Sequence, residues 1–262
     1  MKILFIGDIF GRPGRETVKR LLPNLKAKLK PNLIIANGEN LSHGKGLTPE
    51  NVKEMQDAGV DFFTSGNHVW KNKKGVDKLD DPKFPVIRPA NYPPSVEGRG
   101  YEIIKDNKGN KVLVINLLGR VFMKDDLDCP FRTAAKILEE TINETLSAII
   151  VDIHAEATSE KVALGHFLDG KVSAVLGTHT HIPTADARVL DSGTAYITDI
   201  GMVGPRDSVI GLEKETIVKQ FLTQTPVKHE VAESENTLCA VLIEIDPETA
   251  KAKSIEHIID VV

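Results

Sequence analysis

Short apolar runs and amphipathic stretches take turns along the first half of the chain. Residues 2 to 7, Asn32 to Ala36 and Asp61 to Thr64 carry the unbroken apolar character of strands buried on both faces. Between the first two, the loop Gly11-Arg12-Pro13-Gly14-Arg15 leads into a predicted helix from Pro13 toward Lys30, with Pro23 as a kink point. Asn37 to Gly46 holds three glycines and reads as a loop. Thr48 then suits an N-cap, Pro49 a first helical position and Gly59 a stop. This strand-helix-strand-helix rhythm predicts neighbouring parallel strands joined by right-handed crossovers.

The middle of the chain breaks the rhythm. Five prolines between Asp81 and Gly100 predict loop or edge structure around a short strand at Val86-Ile87. Tyr101 to Lys105 and Lys111 to Asn116 flank a turn and predict a hairpin. A helix is expected from Pro130 to Leu146, a strand from Ala148 to Ile153, a helix from Thr158 to Gly170, and a buried strand from Val172 to Gly177. Beyond His181 the pattern is mostly antiparallel. Arg188-Val-Leu pairs with Tyr196-Ile-Thr, and Leu238 to Ile245 with Ser254 to Val261. No linker or solenoid repeat divides the chain, so 1–262 is expected to be one α/β domain. Its expected form is two mixed sheets packed face to face with helices outside.

Composition narrows the class without changing the fold. With 33 Lys and Arg against 37 Asp and Glu, the formal charge of −4 gives no broad basic surface for a stable nucleic-acid partner or an anionic membrane. No apolar stretch reaches bilayer length. The two cysteines, Cys129 and Cys239, form neither a disulfide framework nor a metal spacing, which fits a reducing, cytoplasmic setting.

The chemistry lies where the strands end. Val172-Ser-Ala-Val-Leu-Gly-Thr-His179-Thr-His181 closes a strand with two histidines at i and i+2, and four other apolar runs end in Asp8, Glu39-Asn40, Asn67-His68 and His154. In open α/β sheets, ligands bind outside the carboxyl ends of strands. Carboxylate, amide and imidazole donors without thiolate suit Mn²⁺, Fe or Zn²⁺ better than a soft-metal site. The donors Asp8, Glu39, Asn40, Asn67, His154, His179 and His181 exceed the needs of one ion, whereas two ions sharing a carboxylate would use them all.

The ordered motifs Gly7-Asp8, Gly66-Asn67-His68, His154 and Gly177-Thr-His179-Thr-His181 resemble those of the calcineurin-like metallophosphoesterases. With Gly7-Asp-Ile-Phe-Gly11, Asn37-Gly-Glu-Asn40 and Arg88-Pro-Ala-Asn91, the resemblance is to the YmdB-type phosphodiesterases over nearly the full length. It implies a four-layer α/β sandwich and a two-metal hydrolase, in which a metal-bridging hydroxide attacks a small cyclic phosphodiester of the 2′,3′-cyclic AMP class. It further implies Asp8, Glu39, Asn40 and His181 on one metal, Glu39, Asn67, His154 and His179 on the other, and His68 as proton donor. Two features depart from the wider superfamily: Phe10 stands where most members have a histidine, and Glu39 where most have a bridging aspartate.

Other readings stay open on sequence alone. The same core would serve a phosphomonoesterase or protein phosphatase, and a metal-stabilised regulator without turnover is a third class. His43 is a candidate substrate contact, as is Arg12 beside the first helix start, although a surface salt bridge explains Arg12 as well. His166, His229 and His257 read as structural, in a helix and two late strands. Gly44-Lys45-Gly46 lacks the spacing and following hydroxyl of a nucleotide P-loop. Oligomeric state is open, a homo-oligomer included.

Overall fold

The computed structural model describes residues 1–262. In chain order the elements are β1 (Lys2–Ile6), β2 (Asp8–Ile9), α1 (Gly11–Leu29), β3 (Leu33–Asn37), α2 (Pro49–Ala58), β4 (Phe62–Thr64) and α3 (Lys73–Val76). There follow β5 (Tyr101–Lys105), β6 (Lys111–Leu118), α4 (Pro130–Glu140), β7 (Ala148–His154), α5 (Thr158–Leu168) and β8 (Ala174–Thr178). The chain ends with β9 (Arg188–Val189), β10 (Ala195–Ile197), β11 (Met202–Pro205), α6 (Lys214–Thr223), β12 (Asn236–Ile245) and β13 (Ala252–Val261).

Two mixed sheets form, in the orders β2-β11-β12-β1-β3-β4, with β13 on β12, and β5-β6-β7-β8-β10-β9. In the first, β1, β3 and β4 run parallel. In the second, β6, β7, β8 and β10 do.

The period-two alternation of each strand sorts its side chains into three apolar layers. Ile3, Phe5 and Ile35 meet Val112, Val114, Ile150 and Leu176 between the sheets. Leu4, Ile6 and Ile34 face Val18, Leu22, Val52 and Met55 of α1 and α2. Leu113, Ile115, Val151 and Ile153 face Ala134, Ile137, Leu164 and Leu168 of α4 and α5. The result is the expected helix-sheet-sheet-helix sandwich.

Several elements differ from the sequence expectation. The stretch Gly11 to Arg15 is the first turn of α1, not a loop, and the helix continues through Pro23. Gly14 serves packing here, since a Cβ on it would lie 2.4 Å from the Val203 carbonyl of β11. Helix α4 stops at Glu140, short of Leu146, because the next apolar residue, Ile142, is 76% exposed and finds no core. The region after His181 is less antiparallel than expected: β10 pairs parallel with β8, β11 pairs parallel with β2, and α6 was not foreseen.

Candidate metal centre

Within each sheet the strands that end in a candidate donor run parallel, and the donors of both sheets meet at one edge of the sandwich. Asp8 follows β1, and Glu39 and Asn40 follow β3. Asn67 and His68 follow β4, His154 closes β7, and His179 and His181 follow β8. One sheet supplies the carboxylates, the amides and His68, and the other supplies His154, His179 and His181. Asp8, Glu39, Asn40, His154 and His181 are buried, and His68 and His179 are partly open.

Which nitrogen of each histidine faces inward follows from what holds the other. Asn37 Nδ2 and Thr64 Oγ1 donate to the buried Asp152, and Thr178 Oγ1 donates to it at 2.7 Å. The Thr178 oxygen therefore accepts His154 Nδ1–H at 2.8 Å, which turns Nε2 toward the centre. His179 Nε2–H faces the Glu156 carboxylate at 3.2 Å, leaving Nδ1 bare. His181 Nδ1–H donates to the Ile210 carbonyl at 2.9 Å, leaving Nε2 bare.

The inward nitrogens crowd the carboxylates and one another. His154 Nε2 lies 3.0 Å from His179 Nδ1 and 3.1 Å from Glu39 Oε2, and one donor atom from each of these three residues falls within 4.8 Å of the others. His181 Nε2 lies 3.8 Å from Asp8 Oδ1, which has no hydrogen-bond partner; neither has the buried Asn67 Oδ1. Orphaned buried oxygens beside bare imidazole nitrogens are the arrangement a cation satisfies. Gly66 makes room for it, since a Cβ there would lie 2.3 Å from Glu39 Oε2 and 2.4 Å from His154 Nε2. The donor set fits divalent metal.

Electrostatics agree. Burial works against charge on His154, but Glu39 and Asp8 beside it outweigh that and push it up to about 9, so its Nε2 takes up positive charge against Glu39 as a proton or a cation. Burial and the neighbouring His154 hold His179 down to about 3, so it stays neutral and able to ligate. Burial raises Glu39, yet His154 and His68 bring it well below the usual carboxylate range. The centre attracts positive charge and keeps Glu39 ionised.

His68 sits at its edge. Its Nδ1 is 2.8 Å from Asn40 Oδ1 and 3.1 Å from Glu39 Oε1, and its backbone N–H donates to Glu39 Oε2 at 3.1 Å. Two acceptors at Nδ1 fix the ring and leave Nε2 for other work. Asn40 bridges two histidines, its amide nitrogen 3.2 Å from His181 Nε2; oxygen-first ligation needs its amide turned end for end.

The loop carrying His179 and His181 is strained, with φ of 95° and 66° at the two histidines. A fully buried ion pair braces it. Lys161 Nζ donates to the Thr178 carbonyl at 2.7 Å and to Asp199 Oδ2 at 2.8 Å, and that oxygen also accepts from Thr180 N and Oγ1.

Above the donors opens a cavity of about 460 Å³, within the range of small-molecule sites. His43 lines it, as do Lys45 and His229. His229 is not in a strand: it is exposed, in the irregular segment between α6 and β12. Arg12 does not line this cavity; its side chain is 82% exposed, 3.8 Å from Glu16, and borders a neighbouring depression with His43. His166 is exposed on α5, and His257 on β13 donates to the Ile200 carbonyl. Sequence reasoning missed Asp152, Lys161 and Asp199, although a carboxylate inside the apolar run Ile149-Ile-Val-Asp-Ile was a signal.

A family model described as YmdB-like protein matches residues 4–258. The chain belongs to the YmdB-like family. Among YmdB-like relatives, the 2′,3′-cyclic-nucleotide 2′-phosphodiesterase of Bacillus subtilis (strain 168) is 50% identical over 259 residues, covering 99% of this chain and 97% of its own. A crystal structure described as a novel phosphatase from Mycoplasma pneumoniae matches with a TM-score of 0.93 at 37% identity, over 100% of this chain and 93% of that one. A hypothetical protein from Thermus thermophilus matches with a TM-score of 0.92 at 41% identity, over 100% of this chain and 99% of that one.

Proposed function

We propose that this protein is a two-metal phosphodiesterase that opens 2′,3′-cyclic nucleotides at the 2′ ester. The observation that carries the reading is the convergence of three inward-facing imidazole nitrogens on Glu39 and Asp8, each fixed by a partner on its outer side. Family membership and the activity of the Bacillus relative supply the substrate class.

One metal would be held by Asp8, Glu39, Asn40 and His181, and the other by Glu39, Asn67, His154 and His179. Fe or Mn suits this oxygen and nitrogen set, and Zn is allowed. When bound, two such ions neutralise the non-bridging phosphoryl oxygens and lower the pKa of water toward about 7.

The chain's own groups do the rest. Asp152, Thr178, Glu156 and the Ile210 carbonyl hold the imidazoles in the ligating tautomer. Glu39 holds His68 at Nδ1, so that Nε2 can protonate the departing 2′ oxygen, a role worth roughly 10²–10⁴ in rate. Water adds to phosphorus, the P–O2′ bond breaks, and the product is a nucleoside 3′-phosphate. Two free cysteines and the absence of any helix long and apolar enough to cross a membrane are compatible with a cytoplasmic site of action.

The same donor set would serve a phosphomonoesterase, and the Mycoplasma pneumoniae structure is described as a phosphatase. Rates on bis-p-nitrophenyl phosphate and p-nitrophenyl phosphate separate the two. We expect the diester to be preferred together with turnover of 2′,3′-cyclic AMP; a strong monoester preference overturns the reading.

A further inference from the structure

The cavity has two chemically different sides. The inner side presents Glu39, Asn40, His68, His179 and His181. The outer side is built from two segments that pair antiparallel, through a bridge between Leu212 and Val231 and hydrogen bonds from Ala232 N to the Gly211 carbonyl and Glu213 N to the Glu230 carbonyl. It presents the aliphatic side chains of Ile210, Leu212 and Val231 and, from the same segment, the exposed imidazole of His229.

Three observations mark this wall as a built surface. Ile210, a β-branched residue, is held at φ +50° while its side chain stays 44% exposed. Its carbonyl accepts the His181 Nδ1–H at 2.9 Å, so wall and metal centre are set by one residue. Phe10 anchors the wall on one side and the loop carrying His43 on the other, since a Cβ on Gly211 or on Gly44 would lie 2.6 Å from its ring. The wall is therefore held at a fixed position relative to the donors.

A phosphoryl group has no use for an aliphatic surface; a flat ring attached to it does. We infer that Ile210, Leu212, Val231 and His229 form a platform on which the nucleobase of a 2′,3′-cyclic nucleotide stacks, while its phosphate meets Glu39 and the histidines. The inference rests on the cyclic-nucleotide reading above. This side of the cavity has no buried amide or carboxylate to read a base edge, so recognition is by the ring face, which every base has. Purine and pyrimidine cyclic nucleotides are accepted alike.

The test compares kcat/KM of the metal-loaded enzyme for 2′,3′-cyclic AMP with that for ribose 2′,3′-cyclic phosphate, which lacks a base. The same ratio is taken for Leu212→Ala and for His229→Ala, the latter on an exposed residue whose loss does not threaten folding. Taking a ratio cancels any loss of folded or metal-loaded protein. Wild type is expected to favour the nucleotide by roughly tenfold or more, with the preference falling several-fold in each variant, chiefly through KM. A wild-type ratio near one, or a preference that both variants retain in full, overturns the platform and leaves the phosphodiesterase reading standing. Failure of wild type to turn over either cyclic phosphate overturns that reading and the platform with it.

Discussion

Thr178 shows how much of the centre depends on residues that touch no metal. Its hydroxyl passes the charge of Asp152 to the outer nitrogen of His154, and so decides which nitrogen faces Glu39. Thr178→Val keeps the shape and removes the acceptor, leaving His154 free to turn its proton inward. We expect metal affinity to fall about 10- to 100-fold, the usual cost of losing such a partner, with the fold retained; titration of the metal-stripped variant measures it, and unchanged affinity would refute the tautomer argument. The residues that gather at the centre were legible in sequence because each closes an apolar run, and chemistry placed at a strand end stands out. Thr178 was in view within the same motif, but its role depends on Asp152, which approaches only when β7 and β8 pair.

At the scale of elements, the strained loop after β8 depends on α5 and on the chain beyond β10. Lys161 on α5 and Asp199 after β10 are both fully buried and paired beneath it. Lys161→Met leaves Asp199 charged and unpaired in the interior, a loss of about 3–5 kcal/mol. Denaturant melts should report that loss, and because the same pair holds the backbone of Thr178 and Thr180, metal affinity should drop in the surviving folded protein. Asp199→Leu added to Lys161→Met removes the orphaned charge, so stability should recover substantially while metal affinity stays low. Recovery of both together would mean that the pair does not position the loop. The β-α rhythm of the first half was readable because strand and helix periods there are clean. Around α6 they are not: Val218, Phe221 and Leu222 are exposed, so no buried stripe signals the helix, and the wall beside it went unseen with His229. Gly11 to Arg15 misled for a related reason, since Gly14, which permits close packing of α1 on β11, looks like a loop residue until the neighbour is known.

For the molecule as a whole, we take residues 1–262 as one domain. In support, the layer between the sheets is shared by both halves of the chain, and the centre draws Asp8 and Glu39 from one sheet and His154 and His179 from the other. A centre spanning two sheets ties metal binding to their packing, so bound metal stabilises the folded chain by mass action. We propose that two metals sit across this seam and that turnover depends on them. The direct measurement is the metal content of anaerobically purified protein, taken with its rate on 2′,3′-cyclic AMP before chelation, after chelation and after metal is restored, beside Glu39→Gln. We expect about two ions per chain, turnover that disappears and returns with them, and a Glu39→Gln protein that loses both metal and activity. Full turnover by the metal-free protein, or by Glu39→Gln, would contradict it.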